Sequence, residues 1–197
     1  MPASTITVMA LTVGDREVRP LTADEVLRMV DAGILAEDEP VELLHGVLTA
    51  MSPKSPAHSV VKARLVAWLG PGVAAAGQVL RIEDPLLVPD RTSLPEPDLA
   101  VVEGGDHTAH HPTTALRVIE VAVSSLRVDT RVKPRLFAEA DVAEYWVVDV
   151  PGHCIHTFAR PDGGRYADTG SACGGQVLAP RHVTADPLDV RTLLAGL

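Results

Sequence analysis

Residues 116–149 read LRVIEVAVSSLRVDTRVKPRLFAEADVAEYWVVD, and they place one acid, Glu120, inside an otherwise apolar strand. Because side chains alternate along a strand, Glu120 shares its face with Leu116, Val118 and Ala122. None of these neighbours can solvate a carboxylate, and an unpaired ionised carboxylate in such surroundings would be costly. The stretch therefore predicts that Glu120 has a charged partner.

The same stretch continues with a helical segment and a second apolar strand. Asp129 and Lys133 lie in the helical part, and the second strand covers Tyr145–Val150. This order predicts a strand, a helix and a strand, with an acid and a base gathered near one end. Since Pro134 is tolerated only in the first turn of a helix, we expect Lys133 at the very start of its helix.

Length and composition predict a single α/β domain. The chain has 197 residues, of which 46% are hydrophobic, so it can bury a substantial core over residues 1–197. Within it, residues 1–19 are expected to form an N-terminal arm and residues 160–197 an extension of the sheet. The formal net charge of -9 argues against a general nucleic-acid coat or a binder of anionic membranes, but it leaves room for a local basic cleft.

Neither a secretory signal nor a membrane span is visible, since no apolar run reaches the ~18 residues of a transmembrane helix. Cys154 and Cys173 stand alone, without a CxxC spacing or a set of partner ligands. We expect both to be free thiols, which favours a reducing cytoplasm as the location.

The N-terminal part predicts a helix followed by a hairpin. Residues 22–25 (TADE) form a capping-box pattern, which is typical of a helix start. Val41–Leu44 and Val47–Met51 flank His45-Gly46, a pair typical of a tight turn between two strands. Glu42 then lies on the first strand of the hairpin, where it is either a solvated acid or part of a site.

A further helix is expected over Ala57–Leu69, ended by Gly70-Pro71-Gly72. His58 lies three residues before Val61, on the inward stripe of the first turn. It is therefore either a core or capping histidine or a member of a site. Two strands should follow over Gln78–Val88 and Asp98–Glu103, which puts the Asp98 carboxylate at a strand start.

These elements bring two carboxylates and a lysine together. Asp98 and Glu120 come from two strands, and Lys133 comes from the helix that follows. Carboxylates on rigid strands can hold Mg²⁺, which activates water, and a lysine can orient that water or neutralise a phosphate, as a phosphodiesterase requires. The alternative is a structural ion pair of Glu120 with Arg117, Arg135 or Lys133.

Several short motifs occur in a fixed order along the chain. They are Leu21–Val26, Val41–Gly46, Met51-Ser52-Pro53, His58, Pro97-Asp98, Glu120-Val121-Ala122, Asp129–Lys133 and Glu144–Asp149. In this order the sequence resembles the bacterial putative restriction endonuclease family, a branch of the PD-(D/E)XK nuclease superfamily. The resemblance covers about residues 20–160 and implies a restriction-endonuclease-like fold, with a mixed central sheet flanked by helices and an N-terminal helix and β-hairpin.

The resemblance also implies roles for individual residues. Asp98 and Glu120 would be the metal ligands, Lys133 the catalytic lysine, and Glu42 and His58 supporting site residues. The sequence departs from the superfamily in one respect. The superfamily's usual lysine lies two residues after the glutamate, where this chain has Ala122, and in this branch the following helix supplies it, which fits Lys133.

The implied function is that of a Mg²⁺- or Mn²⁺-dependent endonuclease that hydrolyses phosphodiester bonds of DNA with a metal-activated water. The alternative is a catalytically inactive module of the same fold that binds DNA or protein, its carboxylates holding only a structural network. Metal binding at Asp98 and Glu120 separates the two. The assembly, monomer or homodimer, stays open.

Overall fold

The computed structural model describes residues 12–13, 15–89 and 91–197, so most of the expected N-terminal arm lies outside the described residues. The strands are β1 (Thr12–Val13), β2 (Arg16–Glu17), β3 (Val41–Leu44), β4 (Val47–Ala50), β5 (Val79–Ile82), β6 (Leu99–Val102), β7 (Arg117–Ala122), β8 (Glu144–Asp149), β9 (Cys154–Asp162), β10 (Arg165–Cys173), β11 (Val177–Leu178) and β12 (Leu188–Asp189). The helices are α1 (Ala23–Asp31), α2 (Pro56–Ala75), α3 (Leu126–Arg131), α4 (Lys133–Glu139) and α5 (Val190–Leu193).

Six strands form the central sheet in the order β10-β9-β8-β7-β6-β5. Strands β7 and β8 are parallel, and the other neighbouring pairs are antiparallel. The parallel pair is joined by α3 and α4, as the strand, helix and strand pattern requires. The predicted mixed sheet flanked by helices is confirmed.

The sheet buries a hydrophobic core on each face. On one face Leu65 of α2 shares a core with Ile119 and Trp146. On the other face Phe137 of α4 packs in a core with Tyr145. Every residue of β7 and β8 is buried, because these central strands are covered on both sides.

The N-terminal helix and hairpin form as predicted. The Thr22 hydroxyl accepts a hydrogen bond from the amide of Glu25, and the Glu25 carboxylate accepts one from the amide of Thr22 in return. In the hairpin β3–β4, His45 and Gly46 have φ values of 49° and 80°, the left-handed pair that a two-residue turn needs. Pro20 leaves no space for a Cβ at Gly46, which explains the glycine at the second turn position.

Helix α2 does not end where the sequence predicts. It runs through Gly70-Pro71-Gly72 to Ala75, and Val73 beyond the proline is buried in the core of that face. Proline removes one intrahelical hydrogen bond, a cost that the burial of the next turn offsets here. Gly72 has a packing reason of its own, since a Cβ built there would lie 1.6 Å from the carbonyl oxygen of Thr184.

Strand β5 is shorter than the predicted Gln78–Val88, because it ends at Ile82. Glu83 has a left-handed φ of 55° and cannot continue the strand, and Pro85 lacks an amide for pairing. The chain then runs without regular pairing up to Asp98, immediately before β6. The predicted place of Asp98 at a strand start is confirmed.

The expectation of two free cysteines is wrong. Cys154 and Cys173 lie directly opposite each other on β9 and β10, with Cα atoms 4.2 Å apart, and form a disulfide. The pairing depends on the register of β9 and β10, which the spacing of the two cysteines does not reveal. The cysteines therefore no longer argue for a reducing compartment. None of the helices that the structure describes combines the length and apolar character that a bilayer crossing requires.

The two glycines beside Pro71 allow a matched test of the packing of α2 against the backbone of Thr184. Gly72→Ala should lower the free energy of unfolding by about 1–3 kcal/mol, because its methyl group would collide with the backbone of Thr184. Gly70→Ala should not lower it, since nothing lies within 4 Å of the corresponding Cβ. Urea unfolding of the two variants checks this, and equal losses would contradict the packing argument.

Candidate active site

Asp98 is held rigidly by two elements. Its Oδ1 atom lies 2.8 Å from Nε2 of His58 in α2, and its Oδ2 atom accepts a hydrogen bond of 2.8 Å from the amide of Val121 in β7. Burial alone would raise the pKa of the Asp98 carboxyl, but the hydrogen bond and charge of His58 outweigh it and lower that pKa. Asp98 is therefore held as a carboxylate.

Glu120 lies on β7 beside Asp98, with 4% of its surface exposed. Its Oε2 atom accepts a hydrogen bond of 3.3 Å from the amide of Asp98, and its Oε1 atom lies 2.9 Å from Nζ of Lys133. Burial and then the negative charges of Asp129, Asp98 and Glu42 raise the pKa of Glu120, against the opposing effect of Lys133. The predicted charged partner of Glu120 is Lys133.

Lys133 is the first residue of α4, followed by Pro134, as the sequence predicts. Its side chain is 5% exposed, and its Nζ atom also lies 3.0 Å from Glu42 and 3.7 Å from Asp129. Burial would lower the pKa of Lys133, but the negative charges of Glu120, Glu42 and Asp129 outweigh it and raise that pKa. One ammonium group thus joins carboxylates from the hairpin, the sheet and α3.

Both supporting residues lie within the same cluster. Glu42 is 8% exposed and pairs with Lys133, so it is not a solvated hairpin acid. His58 is buried one turn into α2, where the hydroxyl of Ser55 caps the helix by accepting from the amide of His58. Its ring faces Asp98, so it belongs to the site and is not merely a core histidine.

The other candidate partners of Glu120 are engaged elsewhere. Arg117, on the opposite face of β7, pairs with Glu144 of β8, and its guanidinium lies 4.0 Å from the ring centroid of Trp146. Arg135 pairs with Glu139 on the exposed side of α4. The two buried glutamates of the parallel strands therefore have separate partners on separate faces.

The sequence placed Asp129 near Lys133 but did not identify Asp129 or Ser125 as members of the cluster. Asp129 accepts a hydrogen bond of 2.5 Å from the Ser125 hydroxyl and lies four residues before Lys133. Burial raises the pKa of Asp129, and the lysine beside it opposes this. The four-residue spacing, which places the two on one helical face, was the available signal. Glu96 was also missed, although it lines the same pocket and burial raises its pKa.

The cluster opens into a cavity of about 220 Å³, whose walls include the 49–55 and 123–128 segments. Four carboxylates meet Lys133 and His58 there, and burial first, then the neighbouring negative charges, raise the pKa of Glu120. Hard oxygen donors with excess negative charge fit Mg²⁺ or Mn²⁺. Among the described ranges, no three or more His, Cys, Asp or Glu side chains form a ready-made metal cage, but Mg²⁺ commonly takes only one or two carboxylates and completes its shell with water and phosphate.

A family model described as Uma2, putative restriction endonuclease, matches residues 23–189 of the sequence. The chain belongs to this family. The matched region contains all five site residues predicted from the sequence. The resemblance on which that prediction relied is therefore confirmed at the level of the family.

The fold of this Uma2 family member is also similar to a solved structure. That structure is a putative nuclease belonging to DUF820 from Anabaena variabilis ATCC 29413, with a TM-score of 0.69 and 18% sequence identity. The match covers 89% of this chain and 98% of the other. At this identity the similarity supports the fold alone. Among curated proteins, none matches the sequence.

The geometry predicts a strong dependence of stability on Lys133. Lys133→Met should lower the free energy of unfolding in EDTA by about 3–5 kcal/mol, because it leaves three buried carboxylates without their cation. Mn²⁺ should stabilise this variant more than the parent, since the metal would replace the missing positive charge. Thermal unfolding with and without Mn²⁺ measures both effects.

Arg135→Met is the matched control, on the same helix. Its ion pair with Glu139 is exposed on the arginine side, so its loss should cost no more than about 1 kcal/mol. If Lys133→Met were as stable as this control in EDTA, the cluster would not depend on its lysine.

Proposed function

We propose that this protein is a Mg²⁺- or Mn²⁺-dependent endonuclease that hydrolyses phosphodiester bonds of DNA. The observation that carries the proposal is the contact of three groups in one cavity: Asp98 and Glu120 from adjacent strands, and the Lys133 ammonium 2.9 Å from Glu120. Membership of the putative restriction endonuclease family supports the same class of reaction.

Asp98 and Glu120 would hold the divalent cation. When bound, the cation lowers the pKa of a nearby water and withdraws charge from the phosphoryl oxygens. His58 is a positioning residue, because its ring fixes Oδ1 of Asp98 while the amide of Val121 fixes Oδ2. Both oxygens of this ligand are thereby oriented before substrate enters.

Lys133 would supply the positive charge that stabilises the phosphate in the transition state and orients the attacking water. The usual strand position of such a lysine is occupied by Ala122, which is fully buried in the core with Phe137 and Tyr145. A long ionic side chain cannot be accommodated there. The helix start offers another backbone position from which an ammonium group reaches the same carboxylate.

One observation favours the alternative of an inactive module. Lys133 already pairs with Glu42, Glu120 and Asp129. The lysine thus partly balances the charge of these acids without a metal ion. A purely structural network would need no further cation. Metal binding and cleavage therefore separate the two functions.

The two buried glutamates of the parallel strands provide a test with an internal control. Glu120→Gln should abolish Mg²⁺-dependent cleavage of plasmid DNA while the protein stays folded, because the amide keeps the shape but lacks the charge that holds the metal. Lys133 keeps two other acids in this variant. Nicking of plasmid and degradation of single-stranded DNA, with and without Mn²⁺, provide the readout.

Glu144→Gln should instead lower stability and leave metal binding unchanged. It leaves the buried Arg117 without a charged partner, so the melting temperature should fall by an amount that reflects several kcal/mol. The affinity of the folded protein for Mn²⁺ should not change. Cleavage by Glu120→Gln at the parent rate would reject the proposed nuclease site.

Asp98→Asn tests the other ligand independently of catalysis. Its affinity for Mn²⁺, measured by calorimetry, should fall at least about tenfold, since one of two anionic ligands is lost. An affinity equal to that of the parent would mean that Asp98 is not a ligand.

We further propose the cytoplasm as the location, because the DNA substrate is there.

A further inference from the structure

The lysines of this chain are distributed unevenly. Of its 17 lysines and arginines, only Lys54, Lys62 and Lys133 are lysines. Lys133 and Lys54 line the cavity of the candidate active site, and Lys62 pairs with Glu83, which lines it too. Every other cationic side chain is an arginine, so the flexible ammonium groups are confined to one place.

Lys54 and Lys62 meet at a single carboxylate. Nζ of Lys54 lies 2.5 Å from Oε1 of Glu83, and Nζ of Lys62 contacts the same oxygen. The side chains of Lys54 and Lys62 are 46% and 17% exposed, so both can be reached from solvent. Unlike Lys133, which is buried among three acids, Lys54 is partly exposed in the cavity wall, and Lys62 reaches that wall through Glu83.

The pair carries a net positive charge. Both ammonium groups contact one carboxylate oxygen, and that carboxylate can cancel only one of the two positive charges. Most of the charged residues that line the cavity are acids, so the two lysines provide the local attraction for an anionic substrate.

The position of the pair relative to the catalytic groups is fixed by the backbone. The amide of Glu83 donates a hydrogen bond of 3.2 Å to the carbonyl oxygen of Asp98. Glu83 also has a left-handed φ of 55°, a conformation that is unfavourable for a residue with a Cβ. The chain thus maintains a strained turn that joins the backbone of Glu83 to that of Asp98, and both residues line the same cavity.

The N-terminus of α2 adds to the positive potential. Lys54 precedes Ser55, the N-cap of this 20-residue helix, and the first turn of the helix contains no acidic residue. The helix itself therefore supplies no acid at the positive end of its dipole. Lys54, Ser55 and His58 all line the cavity, so the potential is directed towards it.

We propose that Lys54 and Lys62, gathered by Glu83, form a phosphate-binding subsite that docks the nucleic-acid backbone phosphate adjacent to the scissile one. The subsite rests on the proposed nuclease function and adds a docking point for substrate. Lysine binds a phosphate as a point charge, so the contact is independent of base sequence. Bound phosphate competes with Glu83 for the two ammonium groups.

The test compares the full-length parent with a Lys54→Gln, Lys62→Gln double variant. Binding of a fluorescein-labelled oligonucleotide is followed by fluorescence anisotropy in EDTA, where cleavage cannot interfere, over a series of salt concentrations. The matched control is the Arg19→Gln, Arg160→Gln double variant. These two arginines are exposed, each is paired with one acid, and neither lines the cavity.

The lysine variant should bind about 5- to 10-fold more weakly per lysine at ~0.1 M salt, and the slope of log K against log salt should fall by about 0.7–0.9 per lysine. Melting temperature and Mn²⁺ affinity should match those of the parent. The arginine control should bind like the parent. Wild-type affinity and slope in the lysine variant, or an equal loss in the arginine control, would overturn the subsite.

The failure of the subsite can be told from failure of the nuclease function by a parallel cleavage assay of the parent protein with Mg²⁺. Cleavage without any effect of the lysines on binding rejects the subsite alone. Lysine-dependent binding without cleavage rejects the nuclease function and leaves a nucleic-acid-binding module. Absence of both binding and cleavage in the parent rejects both.

Discussion

The contact between Glu120 and Lys133 is the interaction on which the rest of the site depends. A carboxylate in the middle of a covered strand cannot stay ionised without a cation, and a buried ammonium cannot stay charged without acids. Lys133 meets both requirements because it lies at the start of α4, directly after the break between α3 and α4. Its three acids come from β3, β7 and α3, so one ammonium group ties the N-terminal hairpin to the sheet and to the crossover helices.

Two buried glutamates on neighbouring parallel strands show how the surroundings decide the role of the same side chain. Glu144 pairs with Arg117 in a core that also holds Trp146, and its other oxygen accepts from the Trp146 indole. Glu120 pairs with Lys133 but lines a cavity that a small ligand can enter. The first pair is enclosed in the core, whereas the second lies at the wall of the cavity.

The proposed function requires an acidic protein to attract an acidic polymer. With a formal net charge of -9, the chain cannot rely on its overall field to bind DNA. In the proposed nuclease, attraction would come from a few cations held in fixed positions and from the divalent metal that the carboxylates would bind. The same acids that repel a phosphate in the absence of metal would bind the metal that contacts it, which couples the two binding events.

Local patterns allowed correct prediction of α1 with its capping box, the β3–β4 turn, the place of Asp98 before β6 and the position of Lys133 beside Pro134, because each depends on residues close in sequence. The apolar neighbours of Glu120 by themselves determined that it needed a charged partner. Tertiary structure alone decided that this partner is Lys133, while Arg117 pairs with Glu144. It also decided that α2 continues past Pro71 and that Cys154 pairs with Cys173. These outcomes depend on contacts between distant segments, whose energies exceed the local preferences of proline, glycine and short strands.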